Sequence, residues 1–191
     1  MSRWNLPNLI TAGRLPLAPL AVWCLSYQTL ESYAGAAMIA LLLEITDIAD
    51  GQIARRRGMV SDFGKLFDPF SDAFCRFTLF LGLYSIGSAE LWMILLIFYR
   101  DSSISFFRGI AANRNVVISA RRSGKIKAIV QGVGTQIAFL SLGLGEVYPW
   151  ASDGAWWSML AITIVTTWSF VDYFVGSLPI LRDAWADRPV E

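Results

Sequence analysis

The chain has 191 residues, 55% of them hydrophobic and 16% charged, with 16 Lys and Arg against 15 Asp and Glu. So apolar a composition excludes an ordinary soluble domain, and a net charge of +1 points to no nucleic-acid partner. With no histidine, imidazole general-base chemistry and His-ligated zinc are excluded. Cys24 and Cys75 lie in apolar runs without CxxC spacing and read as small buried hydrophobes.

Residues 1–13 read as an amphipathic interfacial segment, with Trp4, Leu6, Leu9 and Ile10 toward lipid and Arg3, Asn5 and Asn8 toward water. Arg14 interrupts this stretch and no small-residue cleavage site follows, so no cleavable signal peptide is expected. The uncharged run 15–30 predicts the first transmembrane helix, with Pro16 and Pro19 in its first turns. A second helix is expected over 34–57. Its last turns carry Glu44, Asp47 and Asp50, which must face protein or water. After a loop at 58–62, a third helix is expected over 63–87, with Pro69 inside it and Arg76 placed to pair with Asp72.

A fourth helix is expected over 91–112, followed by a basic connector, 113–127, holding Arg114, Arg121, Arg122, Lys125 and Lys127. Uncharged runs predict a fifth helix over 128–145 and a sixth over 154–171. The loop between them carries Pro149 and Trp150 at the lipid–water interface. Residues 182–191 read as a loosely ordered polar tail. The expected fold is all-α: a polytopic membrane protein of six transmembrane helices, one domain over 1–191. The turns after helices one, three and five contain no Lys or Arg. That asymmetry places both termini in the cytoplasm, together with the acidic ends of helices two and three. The expected location is the cell's inner membrane.

Within this apolar chain, Asp47, Asp50, Gly51, Ala54 and Arg55 share one helical face, and Asp68 and Asp72 share a face of the next helix, after Gly64. A lone Asp here would pass as a helix cap, but caps do not require the Gly-Ala-Arg spacing. If the two faces oppose each other, four carboxylates converge. They cannot all stay ionised in a half-buried site without a counter-charge. Two hard divalent cations with oxygen ligands, Mg²⁺ or Mn²⁺, are the economical choice, and they suit phosphoryl chemistry. Arg55 adds a planar cation suited to phosphate.

The pattern D-x2-D-G-x2-A-R-x8-G-x3-D-x3-D, filled at every position, resembles the signature of the CDP-alcohol phosphatidyltransferases. The resemblance implies that an alcohol hydroxyl attacks the β-phosphorus of CDP-diacylglycerol, giving a phosphodiester lipid and CMP. It implies that Asp47, Asp50, Asp68 and Asp72 bind two metal ions and that Asp72 is the general base. Gly51, Ala54, Arg55 and Gly64 would cradle the CDP moiety. Members of the family are often homodimers, so a second copy joins membrane lipids among the implied partners.

Arg100, Arg108, Arg121, Lys125 and Lys127 are candidates for the phosphate of the acceptor, although positive-inside topology alone also accounts for such residues. The stretch Arg100-Asp101 … Phe107-Arg108 … Ser123-Gly124-Lys125-Ile126-Lys127 … Gln131 resembles bacterial phosphatidylglycerophosphate synthases, whose acceptor is glycerol 3-phosphate. Asp101 stands where a glutamate is usual, Ala128 where a threonine is usual, and Ala73 where a lysine often follows the final aspartate. These departures leave inositol phosphate, inositol, serine or another polyol phosphate open as acceptors. A small cation transporter would use intramembrane acids too, but gains nothing from an arginine beside its ligands. A catalytically dead lipid-binding relative would not need the acids intact.

Overall fold

The computed structural model describes residues 6–56, 62–113, 116 and 121–186, and the described chain is helical throughout, apart from turns. The helices are α1 (Leu6–Leu25), α2 (Leu30–Arg56), α3 (Asp62–Ser85), α4 (Leu91–Asn113), α5 (Arg122–Gly145) and α6 (Gly154–Trp185), with one 3₁₀ turn at Pro149–Ala151. Most of the expected 58–62 loop, much of the basic connector with Arg114, and the end of the tail fall outside the described residues.

The segment expected at the interface is helical and continuous with the helix after it. Residues 6–13 run straight on into α1, with Asn8 and Thr11 buried. Pro16 and Pro19 therefore lie inside α1, where each removes one backbone hydrogen bond, as membrane helices tolerate. The basic stretch is shorter than expected, because Arg122, Lys125 and Lys127 form the first turns of α5. Arg182 and Asp183, expected in the tail, still belong to α6.

Local chemistry explains the ends. Thr29 and Ser32 cap α2 reciprocally, each hydroxyl reaching the other residue's backbone N–H at 3.3 and 2.9 Å. Gly87, at φ 76°, closes α3. Its N–H bonds to the Tyr84 carbonyl at 3.0 Å and the next N–H to the Leu83 carbonyl at 2.9 Å, a left-handed cap that favours glycine.

Two compact units make up the chain. Met1–Glu90 with Thr135–Ser158 form the first, and Leu91–Gly134 with Met159–Glu191 the second. In the first unit α1 packs along both α2 and α3, which touch each other at few points. Spacings of three and four put Thr11, Arg14, Ala18, Ala21 and Leu25 on one stripe of α1. Tyr33, Ala36, Ala40, Leu43, Asp47 and Asp50 make the matching stripe of α2. Each stripe is apolar and buried along one part and polar along the other. Small residues allow close approach: a Cβ on Gly82 of α3 would meet Val22 Cγ2 at 2.8 Å. In the second unit Ile104 and Phe107 of α4 pack with Tyr173 of α6.

Four helical segments, Pro7–Leu25, Leu30–Ile53, Arg122–Gly145 and Pro149–Trp185, are long and apolar enough to cross a membrane. The protein is accordingly a membrane protein. At 24 and 23 residues α3 and α4 are also long enough for a hydrocarbon core of about 30 Å, but they carry charge along their length.

Candidate active site

The polar parts of the α1, α2 and α3 stripes meet. Arg14 projects from α1 into the acids of its neighbours and is only 2% exposed. Its Nη1 lies 2.7 Å from Asp47 Oδ1 and 3.6 Å from Asp50 Oδ2, and its Nη2 3.6 Å from Asp72 Oδ1. One turn earlier, the Thr11 hydroxyl lies 2.9 Å from Asp50 Oδ2 and 3.0 Å from Asp68 Oδ1. The same hydroxyl is 3.1 Å from the Pro7 carbonyl, so three acceptors compete for one proton. All four predicted aspartates are thus gathered in one place, by α1 and not by direct packing of α2 on α3.

Behind them lies a second charged layer. Arg76, one turn beyond Asp72, donates from Nε to Asp72 Oδ1 at 2.8 Å and from Nη2 to Glu44 Oε2 at 3.3 Å. Glu44 sits one turn before Asp47 on α2. The pairing of Asp72 with Arg76 follows the expectation from their spacing, and Glu44 joins it from the neighbouring helix.

Gly51, Ala54 and Arg55 lie on the last turns of α2, and Gly64 is buried in the first turn of α3. The side chains of Ala54 and Arg55 fall outside the described residues.

The predicted cations gather in the second unit, around Tyr173 of α6. Arg100 and Arg108 of α4 hold their guanidiniums 5.4 and 5.9 Å from the centre of its ring. The Tyr173 hydroxyl accepts the backbone N–H of Arg121 at 3.0 Å and lies 3.5 Å from Arg108 Nη2. Asp172 accepts from Arg121 Nη1 at 2.7 Å and from the Ser123 hydroxyl. Arg100 donates to Asp101 at 2.7 Å and to the Ser169 hydroxyl at 3.0 Å. Lys127 donates to both Asp101 oxygens at 2.9 and 3.1 Å. Lys125 is exposed, its side chain apart from these pairs.

The acid cluster offers only oxygen donors, carboxylates and one hydroxyl, the set that hard divalent ions prefer. That chemistry fits a metal site. Among the described residues, however, no three acids are spaced to hold one ion, since Arg14 and Thr11 stand among them. Reading the sequence missed Thr11, Arg14, Asp172 and Tyr173 as site residues. For Arg14 a signal existed, because a charge inside an apolar helix has to face a polar interior.

The chain matches the family model for CDP-alcohol phosphatidyltransferase over residues 4–169. It is 28% identical over 181 residues to the CDP-diacylglycerol–glycerol-3-phosphate 3-phosphatidyltransferase of Bacillus subtilis, covering 87% of this chain and 93% of that protein. The enzyme of the same name from Treponema pallidum is 32% identical over 158 residues, covering 77% and 71%. That from Rickettsia felis is 29% identical over 168 residues, covering 87% and 93%. With the signature intact and its four aspartates drawn together around α1, the chain belongs to the CDP-alcohol phosphatidyltransferase family, whose members are transferases.

Proposed function

We propose that the protein transfers the phosphatidyl group of CDP-diacylglycerol to glycerol 3-phosphate, releasing CMP. The observation that carries this reading is the gathering of Asp47, Asp50 and Asp72 around Arg14, and of Asp50 and Asp68 around Thr11, at the polar part of α1. The named activity of the relatives supports the acceptor. A bond forms between the acceptor oxygen and the β-phosphorus, and the bond from that phosphorus to the oxygen bridging to CMP breaks.

The four aspartates would hold two divalent cations, Mg²⁺ or Mn²⁺, which when bound neutralise the diphosphate and the leaving CMP. Asp72 takes the proton of the attacking hydroxyl. The hydrogen bond from Arg76 Nε to its Oδ1 fixes the carboxylate's rotation, so it acts by positioning more than by basicity. Gly51, Ala54, Arg55 and Gly64 bind the CDP moiety, with Arg55 on phosphate. Arg100, Arg108, Arg121, Lys125 and Lys127 bind the phosphate of the acceptor, and Ser123 and Tyr173 hold that basic set in place. The acyl chains stay in the bilayer. Six helices span the inner membrane, both termini and the site face the cytoplasm, and a second copy completes a homodimer.

The test is release of labelled CMP from CDP-diacylglycerol by the full chain in lipid nanodiscs, with glycerol 3-phosphate, inositol phosphate, inositol and serine offered in turn. Mg²⁺-dependent release with glycerol 3-phosphate well above the others is expected. Release with none of them, or with another acceptor alone, overturns the proposal.

A further inference from the structure

The buried guanidinium of Arg14 has a property that the other charged groups of the first unit lack. Arg76 is anchored by directed hydrogen bonds to Asp72 and Glu44. Arg14 has no such pair of directed bonds among the described residues. Its nearest contact, 2.7 Å to Asp47, misses hydrogen-bonding geometry, and both Nη1 and Nε are buried without an acceptor among the described residues. Nor does it form a two-pronged fork with any one carboxylate, the geometry that makes arginine pairs strong. What keeps so poorly satisfied a cation buried is the field of several carboxylates at once.

We infer that Arg14 is a built-in competitor for the divalent cations: the guanidinium neutralises the aspartates while the metals are absent and gives up Asp47, Asp50 and Asp72 when they bind. This rests on the reading of those aspartates as metal ligands and adds a regulation of the site. Three features on α1 support it. Arg14 reaches three of the four acids, so an ion held by those same oxygens takes its place. The fourth, Asp68, is reached by Thr11, a neutral oxygen that can stay beside a metal. The backbone around Arg14 is itself fixed: the Arg14 carbonyl accepts from Cys75 Sγ at 3.5 Å and the Thr11 carbonyl from the Ser71 hydroxyl at 3.2 Å. Exchange therefore needs only the side chain to move. An enzyme so built stays folded at low divalent-ion levels and needs a higher level to fill the site.

The experiment is Mn²⁺ binding followed by electron paramagnetic resonance, on the full chain in nanodiscs without substrate. Arg14→Gln is expected to bind Mn²⁺ about tenfold more tightly than the wild type, a difference of ~1.4 kcal/mol. Its melting temperature should gain more from Mn²⁺ than the wild type's does, because a tighter ligand stabilises more at equal concentration. Equal or weaker Mn²⁺ binding by Arg14→Gln overturns the inference while leaving the metal site standing. No Mn²⁺ bound by either protein removes the metal site itself. If Arg14→Gln does not fold, Arg14→Lys carries the test. It keeps the charge on a compact ammonium, so its Mn²⁺ affinity should stay within about threefold of the wild type. A tenfold change in Arg14→Lys overturns the inference.

Discussion

Both units gather charge among apolar helices, but with opposite sign. In the first, among the described residues, Glu44, Asp47, Asp50, Asp68 and Asp72 have the guanidiniums of Arg14 and Arg76 for company. In the second, Arg100, Arg108, Arg121 and Lys127 share two carboxylates, Asp101 and Asp172. Burying charge is costly unless it is matched. Among the described residues each set is thus unbalanced, the first toward negative charge and the second toward positive. A protein keeps such imbalances where a ligand supplies the missing sign. By that argument the first set calls for cations and the second for an anion, the division of labour expected between a metal-held diphosphate and a phosphorylated acceptor.

The largest expected effect separates chemistry from assembly in the acidic set. Asp72→Asn keeps the size and the polar character of the side chain but removes the charge and the proton acceptor. Turnover should fall by roughly 10²–10⁴-fold, the usual contribution of a positioned acid or base. Insertion into the membrane and binding of CDP-diacylglycerol should persist, checked by steady-state rates beside a filter-binding assay. Near-normal turnover would take Asp72 out of the base role.

The basic set should respond differently. Arg121→Gln removes one charge-assisted contact, worth about 1.5–3 kcal/mol. The KM for the acceptor should rise by roughly 10–100-fold, while the KM for CDP-diacylglycerol stays near the wild-type value. An equal rise in both constants would mean that Arg121 merely supports the fold, and the contrast between the two sets would lose its functional meaning.

How the sequence and the structure compare depends on which residues are asked about. The acids were legible because helical offsets of three and four fix a face whatever else happens. Uncharged runs mark where helices lie but not their ends: α1 starts at Leu6, α5 at Arg122, and α6 runs on to Trp185. The position of α1 was not legible. A charge at Arg14 and two prolines beyond it look like the edge of a membrane helix, so the stripe continuing through Thr11 and Arg14 was cut in two. The 3–4 spacing from Thr11 to Leu25 held that information, but only the packing of α1 on both neighbours shows why a polar stretch belongs to it. The start of α5 was misplaced for a similar reason. Arg122, Lys125 and Lys127 looked like a connector, yet Lys127 finds Asp101 from 26 residues away. Arg121 finds Asp172 across 51 residues. Partners so distant in sequence leave no local pattern.

The smallest expected effect tests how tightly the basic set is assembled. Tyr173 is 2% exposed, and its ring lies against the start of α5. A Cβ on Gly124 would meet Tyr173 Oη at 2.9 Å and Cε2 at 3.1 Å, and a ring buried that deeply has little room to give. Tyr173→Phe deletes the acceptor of the Arg121 N–H but keeps the ring beneath both guanidiniums. It should cost about 1 kcal/mol of stability and raise the acceptor KM only a few-fold. Gly124→Ala alone should cost more, through overpacking. In the double variant the closest clashing atom, Oη, is gone, so the combined loss should fall short of the sum by about 0.5–1 kcal/mol. Thermal unfolding of the four proteins measures this. Strict additivity would mean that the start of α5 moves aside freely, and that Tyr173 is a neighbour of the basic set without holding it in register.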